Sequence, residues 1–272
     1  MEKMIVKSND IVRNVYILDG RSGCCSDDPR PRDLGHLDPA AAGCSLQKPA
    51  GLFADRSRSG ISSPQSTPNA QVFKAFPQSI VVERDAKVEI VVLIMPGVSC
   101  DLKMDVTLAG EGAEANIYGA YVCGGEEKVK ISVDMHHDLP HCNSRQLFKG
   151  IAGGKSRVDF YGKIIVAQDA QRTEAYQENH NILLSDGAKV DTKPQLEIYA
   201  DDVKCSHGAT IGRLNEEEQF YMRSRGISLE DAKVLQMISF IAPVLENIHD
   251  EAEREKVSAD FEAQIRNIIH NN

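Results

Sequence analysis

The residues best suited to chemistry lie between positions 201 and 210, where the sequence reads DDVKCSHGAT. Cys205 and His207 are two residues apart, so in an extended strand both side chains point to the same face, with Cα atoms roughly 7 Å apart. A thiolate and an imidazole together can bind zinc or iron, and they can also act as a nucleophile and its base. A small, packed cysteine beside a hydrogen-bonded histidine is the structural alternative. The pair therefore marks a candidate site but does not select its chemistry.

The sequence does not supply the groups that would complete a site around this pair. A closed structural zinc site needs four ligands, and no Cys-x-x-Cys pair occurs in the chain. The stretch 135–142 (MHHDLPHC) has irregular spacing and contains a proline, so it predicts a polar turn, with an auxiliary metal site as the alternative. No Gly-rich phosphate loop, HExxH or GxSxG motif is present. The site is therefore incomplete, or another chain completes it.

The element that must position the pair is a long β region over residues 71–212. Short runs rich in Val and Ile end at Gly, Pro or Asp, which is typical of strands. A weak internal repeat relates segment 112–122 to 155–165 at an offset of 43, and segment 155–165 to 187–197 at an offset of 32. Each period would hold two or more strands. This pattern favours a β-helix of stacked coils, and an antiparallel sandwich is the competing arrangement.

Two different segments precede this region. Residues 1–19 contain two short Val- and Ile-rich runs, which predict N-terminal strands. Residues 20–70 hold 6 Gly, 6 Pro and 8 Ser among 51 positions, and periodic apolar residues nearly vanish there. Little apolar area is then available to offset chain entropy, so this segment is predicted to be irregular or disordered.

Residues 213–272 predict a C-terminal helical module. Asn215 before three glutamates and Ser228 three residues before Asp231 are helix N-cap signals, and Pro243 is expected to kink or split the second helix. The apolar stripe of that helix is wider than packing on its own domain would require, which predicts a surface that docks a partner. The predicted docking residues are Leu229, Leu235, Ile238, Phe240, Ile241 and Leu245.

Three motifs together resemble a known family. They are PQLEI at 194–198, DDVKCSHGATIG at 201–212 and QFYMRSRGI at 219–227. The sequence is similar to the SufB/SufD family of the SUF iron–sulfur cluster assembly machinery, on the SufD side, densely over 172–242 and more loosely over 98–171. Family members are typically longer, with a helical region ahead of the β-helix, so the chain is interpreted as a shortened member.

The resemblance implies a right-handed parallel β-helix body with a C-terminal α-helical module that recruits a SufC-like ABC ATPase. It implies that His207 lies at an interface with a SufB-like homologous subunit, where both chains hold a transient iron–sulfur cluster, and that Cys205 matches the neighbouring family cysteine. The function implied is a non-catalytic scaffold. A metal-dependent enzyme that uses the pair, or a structural homo-oligomer with vestigial ligands, remains as an alternative.

The amino-acid composition of the chain bears on which partners it can bind and on its location. The net charge of −9 argues against nucleic-acid binding, because contacts to phosphates need clustered Lys and Arg. No apolar run approaches the roughly 20 residues that a membrane-spanning helix requires. Seven cysteines without regular spacing favour reduced thiols and a cytoplasmic location over a disulfide framework.

We expect residues 20–70 to be largely dispensable, because their composition leaves little to bury. Limited proteolysis of the full chain, with fragments identified by mass, should cut this segment first. Protection of the segment equal to that of the β region would contradict the prediction.

Overall fold

The computed structural model describes residues 3–19 and 76–271. Over these residues the chain forms twelve β-strands followed by three α-helices. The N-terminal runs are strands, as predicted, and residues 20–70 lie outside the described residues. In chain order the strands are β1 (Lys3–Val6), β2 (Ile11–Leu18), β3 (Ser79–Val82), β4 (Lys87–Ile94), β5 (Cys100–Leu108), β6 (Glu114–Cys123), β7 (Lys128–His137), β8 (Asn143–Ala152), β9 (Arg157–Val166), β10 (Glu174–Leu183), β11 (Lys189–Ile198) and β12 (Lys204–Gly212).

Successive strands alternate between two six-stranded sheets. The first sheet has the order β1-β3-β5-β7-β9-β11, and the second has the order β12-β10-β8-β6-β4-β2. All strand pairs in both sheets are parallel, and one strand from each sheet makes one coil. Lys87 is in register with Glu114, then with Asn143, Glu174 and Lys204, so one coil takes about 30 residues. The predicted parallel β-helix is therefore confirmed.

The space between the two sheets is the main core. Side chains alternate along each strand, so every second residue faces inward, as the alternating burial of β5 shows. In strand β4, by contrast, every residue from Val88 onward is buried except Glu89. Its inward side chains join the main core, and its outward side chains, with those of β6 and β8, form a second core beneath the helices.

Three helices follow the last coil. They are α1 (Glu216–Ser224), α2 (Leu229–Leu245) and α3 (Glu251–Asn271). Both predicted N-caps are present: Asn215 Oδ1 accepts a hydrogen bond from the Glu217 amide at 2.9 Å, and Ser228 Oγ accepts one from the Asp231 amide at 3.0 Å. Of the two predicted effects of Pro243, a kink or a split, the split does not occur, because α2 runs unbroken from Leu229 to Leu245. Pro243 lies in the last turn of α2, two residues before Leu245, where the helix ends.

One connection between coils is far longer than the others. The link between β2 and β3 has 60 residues, whereas the equivalent links β6–β7 and β10–β11 have four and five. A coil needs only a tight turn at this corner, so the segment that includes 20–70 is an insertion into an otherwise regular solenoid.

Glu89 ties the helical module to the solenoid. Its carboxylate accepts hydrogen bonds from Arg13 Nε and His249 Nε2, both at 2.7 Å, and lies 3.0 Å from Lys87 Nζ. Arg13 belongs to β2, and His249 lies in the loop between α2 and α3. Burial alone would raise the pKa of Glu89, but these hydrogen bonds outweigh burial and lower it to about 2.

Because the folded-state pKa of Glu89 lies below its ordinary value, its contribution to stability is present above about pH 4.5 and is lost as the pH falls towards 2. We expect Glu89→Gln to lower the free energy of unfolding at neutral pH by about 1–3 kcal/mol. It should also flatten the loss of stability between pH 5 and 2. Denaturant unfolding across this range measures both effects, with Glu126→Gln as the control at an exposed carboxylate that is 80% accessible. A variant with the pH dependence of the parent would contradict the prediction.

Candidate functional site

The last coil leaves the solenoid open at one end, as the first coil, with β1 and β2, does at the other. Within the described residues, β12 pairs only with β10, and β11 pairs only with β9. One edge of each of these strands therefore has unpaired backbone N–H and C=O groups, which can pair with another chain. This open end is the part of the molecule where Cys205 and His207 lie.

The start of β12 is fixed by the coil beneath it. The Asp202 amide donates to Gln171 Oε1 at 2.8 Å, and the Arg172 amide donates to the Asp202 carbonyl at 2.6 Å. Lys204 Nζ then lies 2.7 Å from a carboxylate oxygen of Glu174, its register partner. These contacts set the register that the following residues of β12 keep.

Cys205 lies on the inner face of β12. It is in register with the buried Ala175, and its side chain packs against the main core. Burial raises the pKa of the Cys205 thiol, and a hydrogen bond to the backbone of Ala175 offsets this only in part. Because the thiolate is the form that binds metal, this environment makes Cys205 a weaker ligand than an exposed cysteine would be.

His207 lies on the same face, two residues further along, as the spacing predicts. Its register partner is the buried Gln177, yet His207 itself is exposed because no further coil covers it. Across residues 3–19 and 76–271, no three His, Cys, Asp or Glu side chains come together as a metal site. The structure thus brings the two predicted ligands to one open face but adds no third. Their roles stay predictions.

Sequence reasoning missed the apolar residues around this end. Ile198 on β11 and Ile211 on β12 are 40% and 45% exposed. Both occupy inward-facing positions that a further coil would bury, since the register partner of Ile198 is the buried Val166. Tyr199, just after β11, is 62% exposed. The sequence of the last coil does show alternating apolar residues, but only the fold shows that no further coil of the described residues covers them.

The predicted docking stripe on α2 divides into two sets. Ile241 and Leu245 are buried in the second core, so the prediction that they contact a partner is wrong. The second sheet covers one side of α2, and α3 covers another side. This accounts for the width of the apolar stripe on α2.

The rest of that stripe is less buried. Ile238 and Phe240 are partly buried against the second core, and Lys149 Nζ lies 4.7 Å from the Phe240 ring centroid. Leu229 and Leu235 are 42% and 46% exposed. Leu235 lines a groove between α1 and α2 whose other wall includes Tyr221, which is 57% exposed. Only the exposed residues can contact a partner.

The His-rich stretch contributes to the interior rather than to a surface site. His137 ends β7 and is buried, with Nε2 2.8 Å from Ser144 Oγ. Burial, with a smaller effect of His136, lowers the pKa of His137 to about 4, so the ring is neutral at physiological pH. The polar turn predicted over 135–142 is thus confined to the residues from Asp138 to Cys142, with His141 at a positive φ of 61°, because 135–137 belong to β7.

The architecture is that of a parallel β-solenoid protein with a helical module packed on one sheet and a Cys–His pair at its open end. Residues 54–240, more than half of the chain, match the family model of the SufBD core domain of the SUF system for FeS cluster assembly. The chain belongs to this family, as the sequence motifs indicated.

Three relatives illustrate the match. The iron–sulfur cluster assembly protein SufD of Escherichia coli is 50% identical over 125 residues, which cover 46% of this chain and 30% of that protein. A SufBD family protein of Synechocystis is 47% identical over 40% of this chain and 24% of its own length. A SufBD family protein of Mycobacterium leprae is 28% identical over 67% of this chain and 48% of its own length. The chain thus spans less than half the length of these relatives.

None of α1, α2 and α3 is both long and apolar enough to cross a bilayer.

Proposed function

We propose that this chain is a non-catalytic scaffold subunit in iron–sulfur cluster assembly. It pairs through its open end with a SufB-like homologous subunit and recruits a SufC-like ABC ATPase through its C-terminal helices. The observation that carries the proposal is the open last coil, where two unpaired strand edges and the Cys205–His207 pair occur together. Membership of the SufBD family supports the pathway.

The shape of the open end supports pairing with another solenoid. Two parallel edges, one from β11 and one from β12, can be extended only by strands with the same spacing between their sheets. The exposed Ile198 and Ile211 would be buried by such a continuation. A homologous subunit has the required spacing, and a second copy of this chain is the competing occupant.

The cluster is the cargo of this interface. An imidazole such as that of His207 is a suitable iron ligand, but about four protein ligands usually hold an iron–sulfur cluster. Within the described residues only Cys205 lies near His207 as a second donor, and the raised pKa of its thiol makes it the weaker of the two. The remaining ligands therefore come from the partner, and the cluster is shared between the subunits.

A cytoplasmic location follows from the same proposal. Four cysteines in the described parts of the chain are free, and three of them are buried in the main core. Burial raises the pKa of Cys100 and Cys123 far enough that both stay protonated, which suits a reducing compartment.

We expect His207→Ala to prevent cluster formation in the co-expressed complex without destabilising the chain. An exposed polar side chain usually contributes under about 0.5 kcal/mol, so Tm should change by about 2 °C at most. Iron and sulfide content and the Tm of the purified complex measure the two effects, with His270→Ala as the control, because this histidine is also exposed but lies on α3. Normal iron loading in His207→Ala would remove the residue from the mechanism. Cys205→Ser should be milder if the cysteine is only a neighbour and equally severe if it is a ligand.

Substitutions in the exposed part of the α2 stripe test ATPase recruitment. We expect Leu235→Asp to weaken binding of the ATPase at least tenfold with little change in Tm, because the side chain is 46% exposed. Ile241→Asp should instead destabilise the chain by more than about 3 kcal/mol, because it buries a charge in the second core. Ala263→Asp, at an exposed position on α3, is the matched control. ATPase affinity unchanged in Leu235→Asp would place the docking surface elsewhere.

A further inference from the structure

A row of polar side chains runs through the interior towards the open end. Gln146 on β8, Gln177 on β10 and His207 on β12 occupy the same inward position in three successive coils. Both glutamines are fully buried, and His207 is exposed as the last member. In the two preceding coils the same position holds Ile117 and Ile90. Asn14, partly buried on β2, begins the row at the other end. The fully buried members of the row therefore change from aliphatic to polar in the two coils before the candidate ligand.

The amides of this row share one orientation. Gln177 Nε2 donates to Gln146 Oε1 at 2.9 Å. Gln146 Nε2 has no partner, which fits its position facing the apolar Ile117. Because oxygen and nitrogen lie on opposite sides of an amide carbon, both oxygens point towards the open end. Gln177 Oε1 is therefore directed to the coil of His207, and it is buried with no hydrogen-bond partner.

Gln177 is held in place from the opposite sheet. A Cβ atom built on Gly162 of β9 would lie 2.0 Å from Gln177 Nε2. The amide thus packs directly on the backbone of the facing strand, where only glycine leaves enough room. Its side chain is fixed by this contact and by Gln146, so its free oxygen is preorganised.

We propose that Gln177 is a positioning residue for His207, which rests on the proposed role of His207 as a cluster ligand. The ring nitrogen of His207 that faces the interior carries the proton and donates it in a hydrogen bond to Gln177 Oε1. This bond satisfies an acceptor that is costly to leave buried and unpaired. It fixes the tautomer of the imidazole and turns the other nitrogen, with its lone pair, towards the open end. Ligating histidines are commonly oriented in this way by a hydrogen bond from the second ring nitrogen.

Nitrogen-15 NMR of the histidine ring in the isolated full chain tests this bond without any metal. Spectra are recorded at about pH 8.5, and His207→Ala assigns the signals of this ring. We expect one tautomer and one ring N–H proton that exchanges slowly with solvent. Gln177→Met should give a mixture of tautomers and rapid exchange. Gln146→Met removes one of the two contacts that hold the Gln177 amide but leaves its oxygen, so it should shift the signals in the same direction by less than Gln177→Met does.

Gly162→Ala provides a second perturbation if Gln177→Met does not fold. The new methyl group should displace the Gln177 amide and shift the tautomer population without removing the oxygen. If Gln177→Met and Gly162→Ala both keep a single tautomer with a slowly exchanging N–H, water or another group holds the ring. This result would overturn the proposal. In the parent protein, a single tautomer whose N–H exchanges rapidly would also overturn the proposal. The Gln177 amide would then donate a hydrogen bond to the ring, and the ring proton would face solvent.

Iron content of the co-expressed complex separates this inference from the proposed function. We expect Gln177→Met to lower retained iron about tenfold and Gln146→Met to lower it less. If His207→Ala loads iron normally, the ligand role fails, although the NMR result can still establish the hydrogen bond. If His207→Ala abolishes loading but Gln177→Met changes neither the tautomer nor the iron content, the positioning role fails and the ligand role stands.

Discussion

Parallel pairing between successive coils is the constraint on which the rest of the structure depends. Each strand finds its hydrogen-bond partners only in the coils directly before and after it, so β10 pairs with β8 and β12 but with no strand of its own coil. An internal coil is satisfied on both sides, whereas the terminal coil cannot be. The open edges of β11 and β12 are thus a consequence of the architecture. A solenoid of this kind must cap its last coil or pair it with another chain.

The helical module has a different cause, which is the outer face of the second sheet. In the C-terminal halves of β4, β6 and β8 most outward side chains are apolar, including Leu93, Val122 and Ile151, all almost completely buried. Such a face needs a cover, and α2 with α3 provides it. A helix packed between a sheet and a second helix is apolar on more than one side. This is why the wide stripe on α2 is mostly core, and why Ile241 is not a docking residue.

The fold was predictable from sequence because a two-residue period and a coil repeat are both visible there. The offset of 32 between segments 155–165 and 187–197 is the register of β9 with β11. The offset of 43 is wrong, because segment 112–122 lies in β6 of the second sheet while segment 155–165 lies in β9 of the first. Each coil contains two strands with the same alternation, so similarity alone cannot assign a strand to its sheet.

The candidate site was only half predictable for a related reason. The spacing of Cys205 and His207 fixes their common face through the period of two, and burial of the register partner Gln177 shows that this face is the inner one. A polar residue at an inward position, however, looks the same in sequence as one that faces solvent. Gln177 could therefore be recognised only when its unpaired oxygen and the close approach of Gly162 were known.

Buried polar side chains lie in the two coils before the candidate ligand, and they have an energetic cost. In the next two inner rows, Tyr121 donates from its hydroxyl to Asn181, whose own amide donates to Asn179 at 2.6 Å. Buried amides of this kind contribute little net stability compared with aliphatic packing, and each unpaired atom is costly. Their presence in the last coils, while Ile90 and Ile117 occupy the earlier ones, points to a role other than stability. A polar interior can hold the orientation of an exposed imidazole at the open end, which aliphatic side chains cannot do.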